Sequence, residues 1–268
     1  MSETRVVNKY LNNVSYKDCV GKVYKSNLSG DFKIVKYNDA KDVEIQFLKT
    51  EHEMVVTLDN VRTGLIKDPY SPSVFGIGVV GNKYPITVDG VKTKEYNLWC
   101  SMLQRCYSDS YKKKYQTYEG CEVSDNFKSY EYFYEWCNKQ IGFGNDGNGN
   151  PFHLDKDLLV KGNKVYSEDS CVFIPREINS LLTKRDNNRG EYLIGVSWKK
   201  ANKTFVATVS KGKGKREHLG CFKTEIEAFK AYKTAKESFV KEQANEWKGK
   251  IDERAYEALM NYTVEIDD

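Results

Sequence analysis

The sequence predicts an α+β protein built from three small modules. Residues 20–69 show short strands punctuated by turns, residues 95–141 carry two stretches of helical periodicity, and residues 190–247 show three strands followed by a long helix. With 268 residues, 40% of them apolar, the chain can form more than one core. We therefore predict the following domains: a β-rich module at 1–70, a linker at 71–94, a central module at 95–182, a C-terminal module at 190–247 and a tail at 248–268.

The first module is predicted to be a small antiparallel β-barrel-like (SH3-like) fold or a curled sheet. Apolar residues alternate at Phe32 and Ile34 and again at Val43 and Ile45, which indicates strands with one buried face. The last predicted strand segment is MVVTLDN, at 54–60. An adaptor, a nucleic-acid-contacting barrel and a stabilising cap all remain open for this module. A segment rich in proline and glycine follows, which is typical of a linker.

The central module begins with two predicted helices. The first runs from Glu95 to about Ser108, with Leu98, Met102 and Cys106 at spacings of four. The second starts near Ser124, and its apolar stripe is Phe127, Tyr130, Tyr134, Cys137 and Ile141. A glycine-rich loop at 142–151 then precedes a short strand, HLDKDLL, which carries the polar side chains of greatest functional interest in this module. This central part therefore combines flanking helices with a polar strand.

The C-terminal module is predicted to be a three-stranded antiparallel sheet packed on one helix. Its strands are at 194–201, 203–210 and 216–222, and short turns separate them. Thr224 and Glu227 form a capping box that starts a helix reaching to about Trp247. Because the helix covers only one face of the sheet, the other face is expected to be open.

Positive charge is concentrated in this module. Residues 183–224 hold 11 basic and 3 acidic side chains, whereas the whole chain has a formal net charge of +4. A concentrated positive field favours polyanions, because neutralised phosphates release condensed counterions. A solvated basic loop is the alternative. We predict that the cations on or between the strands contact DNA: Lys199, Lys200, Lys203, Lys211, Lys213, Lys215 and Arg216.

Composition excludes several other classes of protein. No run of 18 apolar residues exists, so no membrane span and no membrane partner are expected. The N-terminal residues lack the apolar core of a secretion signal, which makes a cytoplasmic location the expectation. The seven cysteines form no C-x-x-C pair, so reduced, mostly buried thiols are favoured over disulfides or a zinc site.

The C-terminal module resembles the APETALA/ethylene-response-factor type of DNA-binding domain, which is also common in phage endonucleases. The resemblance is carried by Gly195-Val196-Ser197-Trp198, by Phe205-Val206-Ala207, and by the run from Leu219 to Phe229. It implies a sheet that enters the major groove, with Trp198, Lys200, Lys203, Phe205 and Arg216 as contacts. Lysine stands where that family usually has arginine, so phosphate contacts are favoured over bidentate reading of guanine.

The central module resembles the HNH (His-Me finger) endonuclease-like proteins of bacteriophages. The residues that carry this resemblance include Trp99, Met102, Arg105-Cys106-Tyr107, Tyr118, Gly120, Trp136, Leu154-Asp155-Lys156-Asp157, Tyr166-Ser167, Cys171, Phe173-Ile174-Pro175 and Ile178-Asn179. The resemblance implies a ββα-metal finger. Arg105 is added to the predicted DNA contacts from this motif.

The resemblance also implies a catalytic site. Asp155 and Asn179 take the positions of the metal ligands, and Mg²⁺ (or Mn²⁺) is the expected cofactor because hard cations prefer oxygen donors. Lys156 stands where the family has its general-base histidine, and as a cation it can hold the scissile phosphate. His153 is two residues before Asp155 and therefore on the same strand face, which makes it the alternative base. The predicted catalytic residues are thus Asp155, Lys156, His153 and Asn179.

Three functions follow from these features. The first is a metal-dependent endonuclease of phage origin, of homing or nicking type, that hydrolyses double-stranded DNA in the bacterial host cytoplasm. The second is a catalytically inactive, sequence-preferring DNA-binding protein that acts as a regulator or architectural factor. The third is an interaction or inhibitor protein that uses the N-terminal module. The sequence does not specify the oligomeric state or the target site.

Overall fold

The computed structural model describes residues 16–144, 149, 151–183, 191–212 and 215–268. The protein is a mixed α+β fold, 35% helix and 26% strand, with several small antiparallel sheets, which confirms the predicted class. The chain divides into two compact units, residues 1–116 with 128–134 and residues 117–127 with 135–268. The predicted domain limits stay predictions.

The first unit starts with a four-stranded antiparallel sheet in the order β1-β2-β3-β4. Alternate residues point to one face, where Phe32, Ile34, Val43, Ile45 and Phe47 are almost fully buried, as the alternation predicts. The elements up to the end of α1 are a 3₁₀ helix (Tyr16–Cys19), β1 (Val23–Ser26), β2 (Gly30–Asp39), β3 (Asp42–Phe47), β4 (Glu53–Val56) and α1 (Leu58–Thr63).

This sheet is an open meander, so the prediction of a barrel was wrong for the residues described. The strand predicted to run through 54–60 ends at Val56. Thr57 Oγ1 accepts a hydrogen bond from the N–H of Asn60 and so caps α1, which ends at Gly64 in the left-handed conformation. The chain therefore forms a helix at the point where the predicted strand would have continued.

The next elements along the chain run from residue 87 to residue 139 and cross the division between the two units. They are β5 (Thr87–Val88), β6 (Val91–Lys92), α2 (Lys94–Tyr107), α3 (Asp109–Lys114), a 3₁₀ helix (Gln116–Tyr118), β7 (Glu122–Val123), α4 (Asp125–Lys128) and α5 (Tyr130–Lys139). The predicted stripe of α2 is confirmed at Met102 and Cys106, which are buried together with Trp99 and Leu103.

The second predicted helix is interrupted at Ser129. The N–H of Val79 donates to the carbonyl of Lys128 at 2.9 Å, and the N–H of Tyr130 donates to the carbonyl of Val79 at 2.8 Å. These bonds form a parallel bridge between Val79 and Ser129 that replaces helical hydrogen bonding at this point. The predicted stripe also extends too far, since Ile141 lies beyond the end of α5 and is 54% exposed.

The second unit contains a two-stranded pair with a helix, a three-stranded sheet and two C-terminal helices. The elements are β8 (Phe152–Asp155), β9 (Val165–Tyr166), β10 (Val172–Pro175), α6 (Arg176–Leu182), β11 (Val196–Lys199), β12 (Thr204–Ser210), β13 (Arg216–Phe222), α7 (Glu225–Glu246) and α8 (Glu253–Met260). β8 pairs with β10, β7 pairs with β9, and the three-stranded sheet has the order β11-β12-β13.

Helix α7 packs on one face of the three-stranded sheet, as predicted. Val209 of β12 is buried with Phe229 and Tyr232 of α7, and Val196 and Leu219 pack against this cluster. The capping box is present in full, because Thr224 Oγ1 accepts from the N–H of Glu227 and the Glu227 carboxylate accepts from the N–H of Thr224. The start of α7 was therefore predictable from four consecutive residues.

Candidate functional site

Strands β8 and β10 and helix α6 form a ββα arrangement. The two strands are antiparallel, and their register places His153 opposite Ile174 and Asp155 opposite Val172. Helix α6 begins directly after β10 and packs against both strands. The resemblance to the HNH proteins implies this order of elements.

The two faces of β8 differ in exposure. Phe152 and Leu154 are buried, whereas His153 and Asp155 are only partly buried. Because side chains alternate along a strand, His153 and Asp155 lie on the same face. The sequence pattern thus placed the two predicted site residues of this strand correctly.

Helix α6 brings Asn179 to His153. The Nδ2 atom of Asn179 lies 3.1 Å from Nδ1 of His153. An amide nitrogen only donates, so Nδ1 of the imidazole accepts this hydrogen bond. The neutral ring then carries its proton on Nε2. With this tautomer, Nε2 of His153 is a donor and not an acceptor.

Asp155 closes a tight turn at the end of β8. Its Oδ1 atom accepts hydrogen bonds from the N–H groups of Asp157 at 2.8 Å and Leu158 at 2.7 Å. Burial raises the pKa of Asp155 above its usual value, although these two bonds and Lys156 favour the charged form. A nearby cation would oppose that effect of burial, because it stabilises the carboxylate.

Asp155 and Asn179 carry the types of oxygen donor that a magnesium ion accepts. Asp155 supplies a carboxylate and Asn179 an amide oxygen, and Mg²⁺ is often held by one or two carboxylates while keeping several waters. Within the described part of the chain, no group of three or more His, Cys, Asp or Glu side chains is placed to hold a metal. A cation at this site would therefore depend on water and on the substrate for its other ligands.

The side chain of Lys156 is bound by other residues of its own loop. Its side chain is buried, its Nζ atom contacts the Asp157 carboxylate and donates to the carbonyl of Asn163 at 2.8 Å, and it lies over the ring of Tyr166. The ammonium is thus bound within the loop that joins β8 to β9. The predicted catalytic role of Lys156 stays untested, but these partners favour stabilisation of the loop over contact with a phosphate.

Asn163 belongs to the same loop, and sequence reasoning missed it. Its Nδ2 atom donates to the carbonyls of Lys156 at 2.8 Å and Val165 at 2.7 Å, while its Oδ1 atom accepts from the N–H of Val165. The Ser170 hydroxyl donates to the same Val165 carbonyl. The Gly-Asn pair at 162–163, which is typical of a turn, is the sequence signal that could have identified Asn163.

Helices α7 and α8 support the ββα arrangement from within the second unit. Lys236 of α7 is buried, and its Nζ atom donates to the carbonyl of Leu181 near the end of α6 at 2.6 Å. A cation is favourable there because the last carbonyls of a helix lack helical partners. The ring of Phe152 packs edge-on against Trp247, which ends α7, and Arg254 of α8 reaches the carbonyl of Glu168.

The face of the three-stranded sheet opposite α7 is open in this chain. Strand alternation and register place Lys199, Arg216, His218 and Cys221 on it, and all four are exposed. We call this surface, with Ser197, Val206, Thr208 and Ser210, the open face. Its central strand contributes Val206, Thr208 and Ser210, and its charged side chains, Lys199 and Arg216, lie on the two outer strands.

Several predicted DNA contacts lie away from the open face. Trp198 and Phe205 are cross-strand partners with ring centroids 4.7 Å apart, and alternation places them on the side of Val196 and Ala207, which faces α7. The sequence alone does not show which face of each strand packs against α7. The expectation that these two rings lie on the open face is therefore wrong, and their contact with DNA stays a prediction.

The other predicted cations surround the open face. Lys200 and Lys203 lie in the turn between β11 and β12, and Lys215 precedes β13. Lys211 forms an ion pair with Glu217 at 2.7 Å, and this contact raises the pKa of Lys211. Lys213 lies outside the described residues.

Arg105 belongs to the first unit, where it is half-buried in the last turn of α2. Its contact with DNA stays a prediction.

Comparisons with known protein families, with curated proteins and with solved structures found no match for this chain. None of the helices among the described residues has the length and apolar character needed to cross a membrane.

Proposed function

We propose that the protein binds duplex DNA through the open face and hydrolyses a phosphodiester bond at the ββα arrangement of β8, β10 and α6. The observation that carries this proposal is the 3.1 Å contact between His153 and Asn179, on the same side of β8 as Asp155. Three polar side chains of the types used for phosphate hydrolysis are thereby brought together from residues 153–179, and the resemblance to HNH proteins gives the same reaction class.

Each of the three residues has a distinct role in the proposed reaction. Asp155 and the Oδ1 atom of Asn179 supply oxygen ligands, and a bound Mg²⁺ would neutralise charge on the leaving oxygen and activate a water. Asn179 Nδ2 holds His153 in the tautomer with its proton on Nε2. His153 can then donate through Nε2 to an oxygen of the scissile phosphate and stabilise the developing charge.

DNA binding is supported by the exposed cations on and around the open face. Lys199 and Arg216 are exposed at the edges of the open face, and Lys200, Lys203 and Lys215 surround it. An ammonium is a point charge that holds phosphates without reading bases in the bidentate way of arginine. We therefore expect a phosphate-dominated, salt-sensitive interaction.

The second candidate is a DNA-binding protein without catalytic activity. It is favoured by the position of Lys156, whose ammonium is bound by the loop, and by His153, whose Nδ1 atom is occupied by Asn179 and whose Nε2 atom carries the proton. In this arrangement neither residue is ready to remove a proton from water. Under this candidate, the ββα arrangement only clamps the DNA backbone.

Nicking of supercoiled plasmid separates the two candidates. The first predicts Mg²⁺-dependent conversion to the open-circular form, with a loss of about 100-fold in rate for Asp155→Ala and for His153→Ala. His52→Gln in the first unit serves as a matched histidine control and should nick like wild type. Tight binding without nicking at any Mg²⁺ or Mn²⁺ concentration would leave the second candidate. Equal nicking by wild type and Asp155→Ala would instead overturn the assignment of the reaction to the ββα arrangement.

Asn179→Asp tests the two tasks assigned to Asn179. A carboxylate is a stronger Mg²⁺ ligand than an amide oxygen, so we expect the Mg²⁺ concentration for half-maximal nicking to fall by about tenfold. A carboxylate next to Nδ1 also favours the protonated imidazole, so the pH profile should move to higher pH. Nicking assays over a Mg²⁺ series and a pH series measure both effects. A variant with both profiles unchanged would show that Asn179 serves neither task.

A further inference from the structure

A β-bulge in the three-stranded sheet brings a cysteine and a histidine to the same face. The register between β12 and β13 shifts after Ala207, and Leu219 is the extra residue on β13. Residues three positions apart in a regular strand point to opposite faces, but the extra residue places both His218 and Cys221 on the open face. Leu219 itself packs toward α7. The bulge thus joins a thiol and an imidazole on a surface that a regular strand would give to only one of them.

The two side chains meet at the atoms that bind metals. Sγ of Cys221 lies 4.0 Å from Nε2 of His218, and both residues are exposed. Among the described residues, neither side chain has another hydrogen-bond partner. Metal–sulfur bonds of about 2.3 Å and metal–nitrogen bonds of about 2.0 Å place two ligand atoms about 3.5 Å apart in tetrahedral geometry and about 4.3 Å apart in linear geometry. The observed distance lies between these values, so one ion fits between both atoms.

The other cysteines and histidines are less available to an ion. Cys221 is the only exposed one of the seven cysteines, all of which lie among the described residues. His153 contacts Asn179, and the ring of His52 packs edge-on against Tyr70. An ion that arrives from solvent can therefore reach a thiol and an imidazole together at the open face.

The donor atoms favour a soft ion. Thiolate sulfur suits copper(I) and zinc, whereas magnesium and calcium need oxygen ligands. The residues that form the open face include no carboxylate. Zinc takes four ligands in structural sites and three in catalytic sites. Copper(I) is stable with two ligands, which is the number that Cys221 and His218 supply.

Charge also favours a monovalent ion at this position. Lys199 and Arg216 are exposed on the same face, and Arg216 is two residues before His218 on the same strand. Metal binding releases the thiol proton, so a copper(I) thiolate is neutral, whereas a zinc thiolate keeps one positive charge beside these two cations. The two cations therefore oppose zinc more strongly than copper(I).

We propose that Cys221 and His218 together bind one copper(I) ion on the open face. Sγ and the lone pair of Nε2 form the two bonds to the ion, the imidazole keeps its proton on Nδ1, and the thiol proton passes to solvent. The ion keeps its oxidation state throughout. This site does not depend on the proposed function, because it assumes neither DNA binding nor catalysis.

Competition with a coloured copper(I) chelator, bathocuproine disulfonate, measures the affinity under anaerobic conditions with ascorbate as the reductant. Wild type should take up one copper(I) ion per chain and bind zinc less tightly. Cys221→Ser and His218→Gln should each weaken copper(I) binding by about 100-fold, because the second ligand of a linked pair acts at a high effective concentration. X-ray absorption at the copper edge should show one sulfur and one nitrogen neighbour.

Cys100→Ser with His52→Gln is the matched control, because it removes one thiol and one imidazole of the first unit, both half-buried. This control should bind copper(I) like wild type. The proposal is overturned if wild type binds copper(I) no more tightly than Cys221→Ser, if the control loses affinity equally, or if several sulfur atoms surround the ion. Tighter binding of zinc than of copper(I) would contradict a two-ligand site. These measurements involve no DNA, so failure of this proposal is distinguishable from failure of the proposed function.

Discussion

Replacing Gly195 by alanine is expected to lower the free energy of unfolding of the second unit by about 3 kcal/mol. Gly195 precedes β11 at φ 77°, a conformation that costs a residue with a Cβ atom about 1 kcal/mol. An added Cβ would also lie only 2.1 Å from Cδ2 of Tyr232, which is buried against the sheet. Both effects act against the packing of α7 on the sheet. Urea unfolding followed by tryptophan fluorescence measures the loss.

Gly249→Ala separates the two causes. Gly249 has φ 73°, and an added Cβ would meet nothing within 4 Å. Only the backbone cost applies there, so we expect a loss of about 1 kcal/mol. Equal losses for the two variants would show that Tyr232 does not pack against Gly195 as described.

The stability of the second unit should rise with pH above 8 because of Lys236. Burial lowers the pKa of this lysine from 10.5 to about 8. Between these values the unfolded chain binds one more proton than the folded chain, so raising the pH favours the folded state. The gain across the window is on the order of 3 kcal/mol as an upper bound. Lys236→Met lacks this group and should lack the gain.

Urea unfolding of wild type and of Lys236→Met from pH 7 to pH 10 gives the free energy of unfolding of each protein, and the difference between the two is followed with pH. Burial raises the pKa of Cys171 to about 12, so this thiol lowers stability as the pH rises above 9. Cys171 is present in both proteins, and its effect cancels in the difference. If the difference in free energy of unfolding does not change with pH, Lys236 is not buried against the end of α6 as described.

Features that depend on neighbouring residues were predictable from the sequence. The capping box of α7 needs only Thr224 and Glu227, and the shared face of His153 and Asp155 needs only the two-residue period of a strand. The end of β4 was predicted wrongly although its signal is also local. Thr57 caps the helix that starts at Leu58, but the run of apolar residues before Thr57 favoured a longer strand.

Features that depend on distant residues were not predictable. The break at Ser129 is caused by hydrogen bonds to Val79, which lies 50 positions earlier. Lys156 is bound by the carbonyl of Asn163, and Lys236 by that of Leu181. No periodicity or motif indicates such partners, because they are set by packing between elements.

The charge on the sheet was predicted only in part. Seven cations were expected on a single broad surface, but the register places Lys199 and Arg216 on the open face, and Lys211 is paired with Glu217. Turn positions and ion pairs depend on where each strand ends. Lys200, Lys203 and Lys215 are exposed and lie in turns at the ends of the strands that form the open face.

The salt dependence of binding to a mixed-sequence DNA duplex tests the central claim most directly. If the open face lies against the phosphate backbone, the affinity of wild type should fall steeply with salt, and Lys199→Ser with Arg216→Ser should reduce the slope of log affinity against log salt by about 2. The control, Lys22→Ser with Lys41→Ser on the first unit, removes two exposed lysines and should keep the slope. A wild-type protein that does not bind DNA, or a slope that both pairs of substitutions change equally, would contradict the claim.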